Sequence, residues 1–85
     1  MSITMFDDTD QKGIKCIITF NETDKHYNVL VSYKDTQLEE SFLSMYDPIF
    51  GMDVSDRAKA MEIAENFALQ IEEQYELLPS ISEDI

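Results

Sequence analysis

Hydrophobic residues change their spacing once along this chain, and that change limits the folds it can adopt. Up to residue 43 they largely alternate with polar residues, the pattern of a β-strand with one buried face. From residue 54 onward they recur at every third or fourth position, the period of an amphipathic α-helix. The length of 85 residues fits one domain. We therefore predict a single α+β domain, residues 1–85, with an antiparallel β-sheet packed on one long C-terminal helix.

The first half of the chain is predicted to form a β-meander over residues 14–43. Its alternating segments are joined by short polar turns, which favour antiparallel neighbours. We place the last strand at an edge, because Glu39 and Glu40 would protect an edge strand from unwanted pairing. Residues 1–13 are predicted to be an N-terminal arm or a short strand, so the sheet has three or four strands. The alternating segments are residues 14–21, 26–33 and 37–43.

The second half is predicted to contain a loop at 44–52, the helix at 53–78 and an acidic tail at 79–85. Asp53 is a favourable N-cap, and Pro79 ends the helix because proline has no backbone donor. Apolar side chains at spacings of three and four define the helix face that should meet the sheet. They are Ala60, Met61, Ala64, Phe67, Ala68, Ile71, Tyr75 and Leu78.

The sequence has few of the residues from which catalytic and metal sites are built. It has one cysteine and one histidine. Cys16 lies on the apolar side of its segment, so we expect a small core residue, and we expect His26, beside a turn, at the surface. A structural zinc site needs four Cys or His ligands. Residues 8–13 are similar to the start of a calcium loop, but Lys12 and Thr19 stand where ligands are required. We predict that the protein is not an enzyme and uses no cofactor or metal.

Charge is distributed unevenly along the chain. The formal net charge is −12 at pH 7. Residues 1–34 carry five acids against four lysines, whereas residues 35–85 carry thirteen acids against Arg57 and Lys59 alone. Such a field repels nucleic acid and anionic membranes and attracts basic surfaces. We therefore expect a basic-surfaced protein as the partner, with no direct contact to nucleic acid or to a membrane.

The predicted outward face of the helix is acidic along its length. Like charges three or four positions apart repel by about 0.2–0.5 kcal/mol per pair. Acids near the C-terminus also oppose the helix dipole. A cost repeated at several positions suggests that the face binds a partner, although an acidic face also serves solubility alone. The candidate residues are Glu62, Glu65, Glu72, Glu73 and Glu76, extended by Asp53 and Asp56 at the helix start.

The loop before the helix is unusually apolar for a connection. It carries Tyr46 and Phe50, together with an isoleucine and two methionines. Aromatic and methionine side chains are enriched at the centres of protein interfaces. Tyr46 and Phe50 are therefore candidate partner-binding residues, and the alternative is that the loop folds back over the core.

These features favour an inhibitor that occupies the nucleic-acid-binding surface of another protein. In size, charge and architecture it is similar to the small acidic inhibitors that phages use against restriction enzymes, CRISPR effectors or uracil-DNA glycosylase. No sequence motif carries this likeness. The alternative is a small adaptor or assembly protein. Ile17 and Leu30 lie on the non-core side of the sheet, where they could support a homodimer.

Cysteine usage and hydropathy suggest a location in the cytoplasm. A secreted domain of this size usually carries disulfides, and the single Cys16 cannot form one within the chain. No apolar run approaches the roughly 18 residues of a membrane span. The first ten residues lack the basic and apolar regions of a signal peptide.

Overall fold

The computed structural model describes residues 2–44 and 54–77. It contains a four-stranded antiparallel sheet packed against one α-helix, which confirms the predicted α+β class. The elements are β1 (Ser2–Thr9), β2 (Lys15–Asn21), β3 (His26–Tyr33), β4 (Thr36–Leu43) and α1 (Val54–Gln74).

The strands lie in the sheet in the order in which they occur in the chain, and each pairs antiparallel with the next. The N-terminal segment forms β1, an edge strand of eight residues whose register shifts between Thr4 and Phe6. β4 forms the opposite edge, as the charges of Glu39 and Glu40 predicted. The sheet is therefore a meander with four strands rather than three.

Polar side chains at the strand ends fix two of the hairpin turns. Asp10 Oδ1 accepts hydrogen bonds from the backbone N–H groups of Lys12 (2.8 Å) and Ile14 (3.0 Å). Asn21 Oδ1 accepts one from the N–H of Thr23 at 2.9 Å. Such side-chain bonds satisfy backbone donors that the strand ladders do not reach, which favours turns at these positions.

The core lies between one face of the sheet and α1. Residue pairs directly opposite each other in register, such as Ile18 with Val29 and Phe20 with Tyr27, are buried together on this face. The Tyr27 ring lies 4.9 Å from the Phe20 ring and 5.4 Å from the Phe42 ring, centroid to centroid. Three neighbouring strands thus share one aromatic cluster, which holds the sheet in register.

The helix packs mainly across β3 and β4. Ala60, Ala64 and Ile71 are buried as predicted. Ile63 is buried as well. The predicted core face omitted it, because that face was centred slightly too far round the helix.

The helix is shorter than the predicted 53–78, since α1 ends at Gln74. The N–H of Leu77 donates to the carbonyl of Glu72 (2.7 Å) and the N–H of Glu76 donates to that of Glu73 (3.3 Å). Glu76 has a positive φ of 57°. This pattern is a Schellman motif, which ends the helix before Pro79 is reached.

Within the described ranges, no helix combines the length and the apolar character needed to cross a membrane.

Candidate protein-binding surface

Three glutamates form an exposed acidic row on α1. Glu62, Glu65 and Glu73, here called the acidic stripe, are all exposed. At 3.6 residues per turn and 1.5 Å per residue, they lie within about 80° of the helix circumference and span about 16 Å along its axis. Among the residues that the structure describes, no basic side chain forms an ion pair with any of the three. This part of the predicted face is therefore present as an unneutralised surface.

Glu72 does not belong to this row. Only 9% of its surface is exposed, and its Oε2 accepts a hydrogen bond from Lys12 Nζ at 2.8 Å. That hydrogen bond raises the pKa of the Lys12 ammonium group above its ordinary value. The predicted outward position of Glu72 was wrong, because the β1–β2 turn brings a lysine 60 positions away in the sequence to this side chain.

Asp56 is also buried, with an exposed fraction of 2%. Its Oδ2 accepts a hydrogen bond from the Ser44 hydroxyl at 2.8 Å. The bond joins the end of β4 to the first turn of α1, where a carboxylate is also favoured by the helix dipole. Asp56 therefore does not extend the exposed row, and its predicted position was wrong.

The remaining predicted residues have two different outcomes. Glu76 is exposed but lies beyond the end of α1, so it is not aligned with the stripe by helical geometry. Asp53, Tyr46 and Phe50 lie outside the described residues, so the apolar-anchor prediction for the 44–52 loop stays a prediction.

An apolar groove that sequence reasoning missed lies beside the acidic stripe. It runs between α1 and the β1–β2 hairpin and has a volume of about 200 Å³. Phe6 and Cys16 line its sheet side, and Met61, Ala64 and Ala68 line its helix side. Periodicity alone could not reveal it, because the groove depends on which strands the helix covers.

The rim of the groove is acidic. Asp8 and Asp10 lie on the strand side and Glu65 on the helix side. Burial raises the pKa of the Cys16 thiol inside the groove, and the nearby carboxylates of Asp8 and Asp7 add to the effect. Because thiols react as thiolates, this environment makes Cys16 a poor nucleophile.

The face of the sheet opposite α1 is mostly polar. Asn28 Nδ2 donates to Glu39 Oε2 (2.8 Å) and the Ser41 hydroxyl donates to Asn28 Oδ1 (2.9 Å). Ile17 and Leu30 pair directly in register on this face. Both are only half-buried, so they form a small apolar patch within a polar surface.

His26 lies at the start of β3 and is exposed, as predicted. Its Nδ1 is 2.8 Å from the backbone carbonyl of Asp24. Within residues 2–44 and 54–77, no three His, Cys, Asp or Glu side chains are grouped as metal ligands.

Comparisons with protein-family models, with curated proteins and with solved structures find no match for this chain.

Proposed function

We propose that this chain is a non-enzymatic, cytoplasmic binding protein that occupies a basic, nucleic-acid-binding surface of another protein. It acts in the manner of the small acidic inhibitors by which phages block restriction enzymes or CRISPR effectors. Its lone cysteine supports the cytoplasmic setting, because small secreted domains usually depend on disulfides.

The acidic stripe is the observation that carries this proposal. Glu62 and Glu65 are three positions apart, a spacing at which like charges repel by about 0.2–0.5 kcal/mol. The last turn of α1 contains no basic residue to complement the dipole. Lys12 neutralises Glu72 close by, so the fold does pair a helix carboxylate where one is partly buried. The stripe carboxylates are left exposed, and a basic partner surface would complement them.

The net charge of −12 supports the same proposal at longer range. A surface of one sign speeds encounter with a surface of the opposite sign, and the effect falls with ionic strength. The stripe alone is sparser than a nucleic-acid strand, which carries one charge per about 3.4 Å. We therefore assign steering to the whole charge field and the local contact to the stripe.

Displacement of DNA from a panel of purified basic nucleic-acid-binding proteins tests the proposal. A fluorescent duplex is bound to each protein, and its anisotropy is followed as this chain is added. We expect at least one complex to release its duplex, with the required concentration rising steeply with salt. If no duplex is displaced from any protein at low salt, the proposal fails.

Two variants of equal net charge separate the stripe from charge in general. The stripe variant carries Glu62→Gln, Glu65→Gln and Glu73→Gln. The control variant neutralises three exposed acids elsewhere: Glu22→Gln, Asp35→Asn and Glu40→Gln. We expect displacement to be weakened mainly in the stripe variant. Equal weakening in both would show that only net charge matters and would contradict a contact at the stripe.

The second candidate is an adaptor or assembly protein that dimerises through its sheet. The cross-strand pair Ile17 and Leu30, on the face that α1 does not cover, favours it. Light scattering should then show a dimer that is insensitive to salt and is broken by Leu30→Glu. A monomer at all concentrations would exclude this candidate.

A further inference from the structure

One helix does not cover the full width of the sheet. Four strands, each occupying about 4.8 Å, form a sheet about 19 Å wide, whereas one helix with its side chains is about 10 Å wide. α1 packs mainly across β3 and β4. The helix-side surface of β1, together with Cys16 near the start of β2, borders the groove described above, and Ile3, on the same side of β1, is 41% exposed. Farther along β2, Ile18 and Phe20 are already buried.

The flank of α1 that faces the groove has the surface features of a helix-packing site. Ala64 and Ala68, four positions apart, are small enough to allow another helix to approach closely. Beside them, Glu65, Ala68, Leu69 and Glu72 surround a depression. Their spacing of i, i+3, i+4 and i+7 is that of the four-residue hole that receives a side chain in knobs-into-holes packing. Leu69 at this depression is 50% exposed.

The charges around the groove define the kind of helix that fits. Asp8 and Asp10 lie along one rim and Glu65 along the other. A partner helix with an apolar face flanked by lysine or arginine would bury that face in the groove and place its cations against both rims. A second copy of this chain does not match, because α1 carries five acids against Arg57 and Lys59, a net charge of −3.

We propose that the groove binds an amphipathic helix of the partner protein, with an apolar face flanked by basic residues, alongside α1 and over β1. This inference rests on the proposed function and adds the contact that supplies affinity. The charge field brings the partner to the surface, and burial of its apolar side chains against Phe6, Ala68 and Leu69 holds it there.

A synthetic helical peptide tests the groove without knowledge of the partner. The probe has about 20 residues, long enough to span about 30 Å as a helix, with leucines at every third or fourth position and lysines beside them. It is titrated into the full chain while backbone amide chemical shifts are recorded by NMR. We expect saturable changes centred on Phe6, Cys16, Ala64 and Ala68. A peptide with the same lysines but serines for leucines should bind far more weakly.

Three variants locate the site on α1. Ala68→Trp fills the groove and should weaken peptide binding by about tenfold, which is about 1.4 kcal/mol. Leu69→Ser removes exposed apolar surface, so it should also weaken peptide binding while leaving the fold intact. Gln70→Trp is the matched control, because residue 70 is exposed and lies about 160° from residue 68 around the helix. We expect its affinity to equal that of the wild type.

Several results would overturn the groove assignment. One is that the serine peptide binds as tightly as the leucine peptide, and another is that the chemical-shift changes centre on the polar face near Asn28. A third is that Ala68→Trp and Leu69→Ser both bind the peptide with wild-type affinity. The last is that a second copy of the chain occupies the groove in the absence of peptide. Each leaves the DNA-displacement assay unaffected, so the groove assignment can fail while the proposed function stands. If no DNA is displaced but the peptide still binds, the proposed function fails and the groove assignment stands.

Discussion

The two sides of α1 are held in different ways. On the side that packs on β3 and β4, Ile71 is fully buried. The hydroxyl of Tyr75, the first residue after α1, hydrogen-bonds with the Thr36 hydroxyl at 2.7 Å. On the side that faces β1, the Lys12–Glu72 ion pair bridges the helix and the β1–β2 turn, and Leu69 is half exposed. The first side closes the core, whereas the second leaves carboxylates and an apolar groove at the surface.

This difference separates stability from recognition. Substitutions on the β3–β4 side remove buried contacts and should lower the free energy of unfolding. Substitutions in the acidic stripe remove like-charge repulsion, so they should leave the free energy of unfolding unchanged or raise it. The same substitutions should weaken the binding of a partner. The predictions that follow test this division, beginning with the largest expected effect.

Ile71→Ala should be the most damaging single change on the helix. Removing a fully buried isoleucine side chain costs about 2–5 kcal/mol, a large share of the stability of a small domain. Leu69→Ala, two positions along on the exposed side, should change the free energy of unfolding by about 0.5 kcal/mol or less. Urea denaturation measures both. Equal losses would mean that the two sides of α1 are not distinct.

Tyr75→Phe should have an intermediate effect. The variant keeps the edge-to-face ring contact with Tyr33, whose centroid lies 4.9 Å away, but loses the hydrogen bond to Thr36. The expected loss in free energy of unfolding is about 0.5–1.5 kcal/mol. Tyr33→Phe is the matched control, since no described residue hydrogen-bonds to its hydroxyl. A loss of the same size in Tyr33→Phe would contradict the assignment.

The stripe variant should be slightly more stable than the wild type. It removes the Glu62–Glu65 repulsion, worth about 0.2–0.5 kcal/mol, and one acid near the negative end of the helix dipole. The gain in melting temperature should shrink as salt is added, because exposed charges are screened. A lower melting temperature would show that these glutamates stabilise the fold and are not an unneutralised surface.

Lys12→Met should remove a small, pH-dependent part of the stability. The pKa of Lys12 is raised above its ordinary value of 10.5 by its hydrogen bond to Glu72. A raised pKa of a cationic group means that its contribution is fully present below pH 10.5 and is lost as the pH rises through the higher folded-state pKa. The stabilities of wild type and Lys12→Met should therefore converge above pH 10.5.

Lys15→Met serves as the control for the loss of one lysine charge. Lys15 is exposed on β2 and forms no ion pair with a described residue, so its removal should cost less stability at neutral pH than Lys12→Met. If the free energies of unfolding of wild type and Lys12→Met differ by the same amount at neutral and at alkaline pH, a role for the lysine charge is contradicted.

Much of the fold could be predicted because it follows from local patterns. Alternation in residues 26–33 and the three- and four-residue spacing after residue 54 specify a strand and a helix with little ambiguity. The helix end could not be predicted as well, because Glu76 takes the left-handed position that glycine usually fills in a Schellman motif.

The candidate site was less predictable because its decisive contacts are long-range. Glu72 looked like any other outward glutamate until the β1–β2 turn brought Lys12 to it. Asp56 looked like a dipole-complementing acid, and its burial depends on Ser44 at the end of β4. The groove depends on the lateral position of α1 over the sheet, which no residue pattern encodes.

The most direct test of the central claim is the salt dependence of binding to a protein found by DNA displacement. Dissociation constants of the wild type and the stripe variant are measured across a series of salt concentrations. If the acidic stripe contacts the partner, the wild type should bind more tightly at low salt, show the steeper dependence, and converge with the variant at high salt. Parallel lines for the two proteins would contradict the claim, because removing those three carboxylates would then have changed no ionic contact with the partner.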